Sequence, residues 1–451
     1  MSNSVIILAA GKGTRMESDL PKVLHPLAGA PMLLHVMKSR ATLEPEHLVI
    51  IAGYGADAVK TAVHDYDETA QVILQPEQLG TGHAVSQART ALAECTGDVI
   101  VLYGDTPFVR PETLQELSAA RKTADIVLLG FEATDPSRYG RLVMQGTAVS
   151  RIVEYKDASE PERAITFCNS GVICAKAEIV FSLLEAVGND NAAGEYYLTD
   201  IVQLANDHGL SVAAVRCEED ETMGINSRAE LARAEARFQH RTRAEMMELG
   251  VSLTAPETVY FAFDTALGRD SRIEPNVVFG PGVTVENGAL IRAFSHLEGC
   301  HVSSGAVVGP YARLRPGTEL AENVRIGNFV EVKNTRIDDG AKVNHLSYIG
   351  DASIGAGSNI GAGTITCNYD GVSKHRTAIG AAVFIGSNTM LVAPVTVGDA
   401  AMTASGSVIT KDVEPGALAI ARSAQINRPG LAVKLFKMLR RKKAKRQEGM
   451  I

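Results

Sequence analysis

The chain contains no tryptophan, and aromatic residues make up only 5% of its 451 positions. Large conventional cores lean on aromatic bulk, so this one must be assembled mainly from Val, Ile, Leu and Ala. Cysteine is also sparse. Cys95, Cys168, Cys174, Cys217, Cys300 and Cys367 include no CxxC pair, which argues against a zinc site and fits reduced thiols. No apolar run approaches the ~18 residues that a membrane helix needs, so no membrane span is expected. The opening residues MSNSVIILAAGKG have neither a basic nor a long apolar segment. A cleaved leader is therefore not expected, and a cytoplasmic protein is. A net charge of −8 excludes the broad basic field of a nucleic-acid binder.

Two features stand out against these absences. Glycine is abundant, with 41 residues, above the usual ~7%. The stretch Lys434 to Arg446 holds eight basic residues and no acidic one. It reads either as a solvated tail or as a docking arm that meets phosphate.

From Val5 to about Arg228, short apolar runs alternate with amphipathic stretches. Expected strands are Val5–Ala10, His47–Ala52, Val72–Gln75, Asp98–Tyr103, Asp125–Phe131 and Ser211–Val215. This is the pattern of an open, mostly parallel α/β sheet. Residues 229–249 are rich in Ala, Glu and Arg without Pro and predict one long linker helix.

Beyond about residue 270 the period changes to six. Ile273, Phe279, Val285, Ile291 and Leu297 form the first run. Val302, Val308, Leu314, Leu320, Ile326 and Val332 follow after a slip, then Ile337, Val343 and Ile349, then Ile354 and Ile360. Ile379, Ile385, Leu391, Val397, Thr403 and Ile409 complete the series. Gly often follows the apolar residue. Six matches neither helix nor plain strand, but it suits a β-solenoid with one short strand per face. Three hexads make an 18-residue triangular coil. The polar interruption Thr366 to Ala378 must leave the coil as a loop. The pattern resembles the left-handed parallel β-helix of hexapeptide-repeat acyltransferases, and the handedness follows from that resemblance.

The first chemical constellation lies in LAAGKGTRMESDLPK, where a strand runs into a Gly-rich loop. Gly11 and Gly13 allow close backbone approach to phosphate oxygens. Arg15 and Lys22 add charge. The loop is neither GxGxxG nor a Walker sequence. Asp105 ends a strand, where an open α/β sheet meets ligands. Gln75 to Gly82 offers amide side chains and tight turns, and Gly140, Glu154, Asn169 and Asn226 are polar or turn residues at element ends. Singly, Asp105 reads equally as a cap and Asn226 as a helix start.

Together LAAGKGTRM, QPEQLGTGHA, YGDTP, VEYKDA, GEYYLTD and GINSR resemble the sugar-nucleotide pyrophosphorylases. With the solenoid, HLSYIGD and NIGAGTITCNYDG, the chain resembles the bifunctional uridyltransferase and acetyltransferase family of bacteria that makes UDP-N-acetylglucosamine. The resemblance implies a Rossmann-like nucleotidyltransferase domain at 1–228, the linker helix at 229–249, and a left-handed β-helix acetyltransferase domain with its basic tail at 250–451. It implies UTP and acetyl-CoA as co-substrates and Mg²⁺ as cofactor, held by Asp105 and Asn226. Leu8, Ala9, Ala10, Gly11 and Lys22 would meet the nucleotide. Gln75, Gly80 and Thr81 would read the uracil. Tyr103, Gly140, Glu154 and Asn169 would hold sugar and ribose, and Arg15 would neutralise the leaving pyrophosphate.

A second constellation surrounds His345. Arg315 and Lys333 lie one 18-residue coil apart, so stacking sets two cations side by side, and a phosphate is their natural guest. An imidazole titrates near ~6.5, suited to taking a proton at neutral pH. The resemblance implies that His345 is the general base toward glucosamine 1-phosphate, with Glu331 supporting it. It implies that Arg315, Lys333, Tyr348 and Asn359 bind that sugar. Ala362, Asn368, Tyr369, Lys374, Ser387, Ser405 and Arg422 would contact acetyl-CoA. Ser405 stands where the family carries Ala. A homotrimer with sites between subunits is likewise implied. Rival readings are a solenoid that only regulates or assembles, and a zinc site between subunits through His296 and His301. A non-enzymatic assembly subunit would be expected to lose Arg15, Lys22 or Asp105, and all three are present.

Overall fold

The computed structural model describes residues 3–137 and 139–448. They form two compact units. The first comprises the chain up to Leu249 with Ala255–Ala266 and Val278–Val283. The second comprises Gly250–Thr254, Leu267–Val277 and the chain from Thr284 onward.

The first unit is built on one sheet. Its strands are β1 (Asn3–Ala9), β2 (His47–Ala52), β3 (Gln71–Leu74), β4 (Asp98–Tyr103), β5 (Ile126–Glu132), β6 (Arg141–Gln145), β7 (Ala148–Val153), β8 (Phe167–Lys176) and β9 (Val212–Cys217). The main order is β9-β5-β8-β4-β1-β2-β3. All neighbours on this path are parallel except β8, which runs antiparallel to β4 and β5. Successive residues of β1 feed opposite cores: Ile6 and Leu8 one, Val5 and Ile7 the other. Burial on both faces explains why these strands read as unbroken apolar runs. The chain moves outward from β1 through β2 to β3, then returns to β4 on the other side of β1. A crevice at the carboxyl ends of β1 and β4 is the place where such sheets bind ligands.

The six expected strands are all present within two residues. The hairpin β6–β7 and the long strand β8 were not anticipated. The Arg228–Glu248 helix forms as expected, with the Ser227 hydroxyl accepting from the Glu230 amide at 3.3 Å. It belongs to the first unit and buries Ala234, Phe238, Gln239 and Thr242. Gln239 bonds both the amide and the carbonyl of Phe261, at 2.8 and 2.7 Å.

The second unit is a left-handed parallel β-helix. Ile273 pairs with Ile291, Ile291 with Val308, Val308 with Ile326, and Ile326 with Val343. Coils are thus 17 or 18 residues long. All 22 hexad residues named above are at most 3% exposed, so each face sends one side chain inward. Small hydroxyls line the corners and tie down the turn. The Thr318, Thr364 and Thr389 hydroxyls donate to the carbonyls three residues earlier, at 2.7, 2.7 and 2.6 Å. The excursion is shorter than the polar stretch suggested. Ile365–Cys367 and Thr377–Ile379 are wall strands, and Thr366 and Thr377 are fully buried. Only 368–376 leaves the coil. The two threonines pass for loop residues in sequence because their hydroxyls, not their size, suggest solvent.

Candidate functional site

Three distant segments converge in the first unit. The Lys22 ammonium donates to a carboxylate oxygen of Asp105 and, at 3.0 Å, to Oδ1 of Asn226. The Lys22 and Asp105 side chains are only 13% and 17% exposed. The elements that place them are short. Gly13 takes φ +63°, and a Cβ there would lie 2.5 Å from Cβ of Lys22, so only glycine lets the loop fold back over that lysine. Asp105 follows β4, and the Ile225 amide donates to its carbonyl at 3.0 Å. Asn226 directly precedes the Ser227 helix cap, and its amide donates to Glu230 at 2.6 Å. Two oxygen donors thus aim at one cationic centre.

Beside this cluster lies a cavity of 320 Å³. Leu8, Ala9, Ala10, Gly11, Lys22, Gln75, Gly80, Thr81, Tyr103 and Asp105 all line it. Gln75 is 2% exposed, with its amide nitrogen 3.2 Å from the Gly80 carbonyl and 3.0 Å from Nδ1 of His83. Its side-chain carbonyl oxygen has no hydrogen-bond partner among the described residues. Gly80 has φ +114°, and a Cβ there would lie 2.5 Å from the Tyr196 carbonyl. The Thr81 hydroxyl accepts from the Leu198 amide at 3.0 Å.

Tyr103 joins this cavity to a second polar group. Burial pushes its phenol well above the usual range, with the charges of Glu154 and Asp105 acting in the same sense. Glu154 is itself raised, chiefly by burial, with Asp200 and Asp157 adding repulsion against a hydrogen bond from Thr199. Gly140 leaves its Cβ position 3.4 Å from the Glu154 carboxylate, and its carbonyl accepts from the Asn169 amide at 2.8 Å. The predicted Tyr103, Gly140, Glu154 and Asn169 therefore stand together. Arg15 does not join them: it is exposed on the Thr14–Met16 turn. Gln78, the second amide of the Gln75–Gly82 stretch, lines the cavity as well, and so does Glu195, which was not singled out. Glu195 belongs to GEYYLTD, so its signal was present.

In the β-helix, Leu314 pairs with Val332, which sets Arg315 over Lys333 as the spacing predicted. Arg315 donates to Glu331 at 2.9 Å. Lys374 returns from the 368–376 loop to Lys333, whose ammonium lowers the Lys374 pKa by hydrogen bonding and repulsion. Asp351 lies at this cation pair. Burial pushes its pKa upward, but hydrogen bonds from Asn334 and Asn368 and the charges of Lys333 and Lys374 outweigh that and hold it low. The Asn368 amide nitrogen is also 3.5 Å from the Tyr348 hydroxyl. Lys333, Tyr348, Asn368 and Lys374 thus form one group around Asp351, which the sequence reading passed over.

His345 lies on the adjoining face, separated from Tyr348 by the corner at Leu346 and Ser347. Its Nδ1 is 2.9 Å from Oδ1 of Asn328, the residue it pairs with. Glu331, expected to support His345, is engaged by Arg315, and Asn328 is the ring's partner instead. His345 and Asn328 line a 340 Å³ cavity with Arg292, Arg325 and Asn344. Asn359 pairs with Lys342 on the same face. Ala362, Ser387, Ser405 and Arg422 occupy successive coils along one edge. The Asn388 amide donates to the Ala362 carbonyl at 2.7 Å, the Gly406 amide to that of Ser387 at 2.8 Å, and Arg422 to that of Ser405 at 3.0 Å. Tyr369 is exposed, and its hydroxyl donates to the Gly371 carbonyl at 2.6 Å.

A Gly-rich loop at a sheet switch point, joined to a hexapeptide β-helix, defines a nucleotidyltransferase fused to a second transferase. Residues 5–192 match the MobA-like NTP transferase domain family. Over 449 residues the chain is 68% identical to "Bifunctional protein GlmU" of Ruegeria sp. (strain TM1040), covering 100% of both chains. It is 70% identical over 448 residues to the protein of that name from Ruegeria pomeroyi, covering 99% of this chain and 100% of that one. With the Roseobacter denitrificans protein it shares 66% identity over 449 residues, covering 100% of each. The chain belongs to the GlmU family.

Proposed function

We infer that this chain makes UDP-N-acetylglucosamine in two reactions, and so supplies peptidoglycan and lipopolysaccharide precursor synthesis. One transfers an acetyl group from acetyl-CoA to glucosamine 1-phosphate. The other transfers uridylyl from UTP to N-acetylglucosamine 1-phosphate and releases pyrophosphate. Full-length identity to GlmU proteins carries the reading. We assign uridylyl transfer to residues 1–228, followed by the helix at 229–249, and acetyl transfer to 250–451.

In uridylyl transfer, a phosphate oxygen of the sugar phosphate attacks the α-phosphorus of UTP. A new P–O bond forms, and the bond to the pyrophosphate oxygen breaks. The protein's part is positioning and charge neutralisation. The Leu8–Gly11 backbone meets the nucleotide, Gln75, Gly80 and Thr81 meet the uracil, and Tyr103, Gly140, Glu154 and Asn169 meet sugar and ribose. Lys22 and Arg15 offset phosphate charge. Asp105 and Asn226 suit Mg²⁺: both offer hard oxygen donors, and such ions complete their shell from substrate phosphates and water. Bound there, the ion would neutralise charge on the phosphates.

In acetyl transfer, Arg315 and Lys333 clamp the sugar phosphate, and Tyr348 and Asn359 orient the ring. His345 takes a proton from the attacking amine. The nitrogen bonds to the thioester carbon and the CoA thiolate leaves. The Asn328 contact fixes the imidazole ring in place. Ala362, Lys374, Ser387, Ser405 and Arg422 contact acetyl-CoA, with Asn368 and Tyr369 close to the acetyl end. The enzyme is proposed to be a cytoplasmic homotrimer.

The test supplies glucosamine 1-phosphate, acetyl-CoA, UTP and Mg²⁺ together. UDP-N-acetylglucosamine and pyrophosphate are expected, with N-acetylglucosamine 1-phosphate accumulating when UTP is withheld. Failure to accumulate that intermediate would contradict the acetyl-transfer assignment.

A further inference from the structure

The sequence segment that the two reactions leave unused is the basic tail. It forms a helix, Leu431–Glu448. An exposed segment without strand or helix, Ser423–Pro429, precedes it. Every residue from Leu431 to Gln447 is exposed. No side chain from Leu431 to Gln447 makes a hydrogen bond or ion pair among the described residues.

Its composition is unlike a solvated tail. Leu431, Leu435, Met438 and Leu439 recur at i, i+4, i+7 and i+8, flanked by Ala432 and Phe436, so they share one face. Lys434, Lys437 and Arg441 recur at i, i+3 and i+7 on another, and beyond Leu439 the cations Lys442, Lys443, Lys445 and Arg446 surround the last turns on every side, the apolar one included. Phe436, Met438 and Leu439 remain 63, 56 and 54% exposed. A polyanion such as nucleic acid would satisfy the cations but not the apolar face. A solvated tail would use neither. An interface of anionic headgroups over acyl chains satisfies both.

We propose that the helix Leu431–Glu448 docks this enzyme on an anionic phospholipid surface, its Leu/Met/Phe face in the acyl boundary and its Lys/Arg residues among the headgroups. The helix lies on the membrane rather than across it: no helix among the described residues is long and apolar enough to span one.

The test is cosedimentation of the full chain with vesicles of phosphatidylcholine alone, or mixed with phosphatidylglycerol, at about 0.1 M salt and at severalfold higher salt. Binding to the mixed vesicles only, and its loss at high salt, are expected. Each cation near the surface is worth on the order of fivefold in binding. The K437E/R440E/R441E variant should therefore bind at least a hundredfold more weakly. Leu435→Ser with Phe436→Ser and Leu439→Ser should weaken it at least tenfold with the charges intact. Both variants should keep wild-type uridylyl transfer, which shows that they fold. Equal binding to both vesicle types, or none to the mixed ones, would overturn the proposal. So would wild-type vesicle binding by the apolar-face variant, retention of duplex DNA without vesicles, or variants that only shift the sedimentation coefficient because the helix engages a second copy.

Discussion

The amide of Ile225 donates to the carbonyl of Asp105 at 3.0 Å. This bond ties the helix-entry segment to the end of β4, and it holds Asn226 beside Asp105 although 120 residues separate them. With Lys22 between them, the pair makes a centre that accepts one cation.

If that centre is where Mg²⁺ binds, Asp105→Asn should lower the uridylyl kcat by about a hundredfold or more and raise the Mg²⁺ concentration needed for half-maximal rate. Acetyl transfer should be unchanged. Steady-state assays of both reactions on one preparation check this. Equal loss of both would point to a folding defect.

Glu154 predicts a pH dependence. Its carboxyl is raised above the ordinary range, chiefly by burial. The ionised form that would accept from sugar hydroxyls is therefore lost as pH falls, and at a higher pH than for a free glutamate. The acidic limb of uridylyl kcat/KM should reflect this residue. Glu154→Gln should flatten that limb and lower the neutral-pH rate. A limb unmoved in Glu154→Gln would assign it elsewhere.

The Arg315–Lys333–Lys374 cluster predicts a KM effect. If Arg315 and Lys333 clamp the sugar phosphate as proposed, Lys333→Ala and Arg315→Ala should each raise KM for glucosamine 1-phosphate about tenfold or more, since each would remove a charge-assisted contact to phosphate. Uridylyl transfer should be unaffected. Bound phosphate should also move the Lys374 pKa back up, because the anion offsets the repulsion from Lys333 that lowers it. NMR titration of labelled lysines, with and without inorganic phosphate, reads that shift.

Gly327 predicts a stability effect. A Cβ there would lie 1.9 Å from the carbonyl oxygen of Asn344. Gly327→Ala must push apart the strands that carry Asn328 and His345, at a cost of about 1–3 kcal/mol. Thermal unfolding should show the loss, and acetyl transfer should fall far more than uridylyl transfer.

Much of this was legible in the sequence, because the determinants are periodic or local. The hexad residues fill the solenoid interior, and the apolar runs became strands. The strand β8 stayed hidden because Asn169, Ser170 and Gly171 interrupt its apolar pattern, where its pairing with β5 shifts register. The partners of the proposed acetyl-transfer site stayed hidden for a different reason. A uniform 18-residue coil finds Arg315 over Lys333, but Asn328–His345, Asn334–Asp351 and Asp351–Asn368 are each 17 apart. One residue of slip removes a partner from view. Gln78 and Glu195 come together only through tertiary packing, as the Tyr196 amide bonds the Leu79 carbonyl at 2.8 Å.

The central claim is that one chain carries two separable reactions, with His345 serving only the first. The direct measurement is UDP-N-acetylglucosamine formation by His345→Ala from two alternative sugar phosphates. With N-acetylglucosamine 1-phosphate, UTP and Mg²⁺ it should proceed at the wild-type rate. With glucosamine 1-phosphate, acetyl-CoA, UTP and Mg²⁺ it should fall by about a hundredfold or more, as expected for loss of a general base. Wild-type product from glucosamine 1-phosphate, or equal loss from both, would contradict the account.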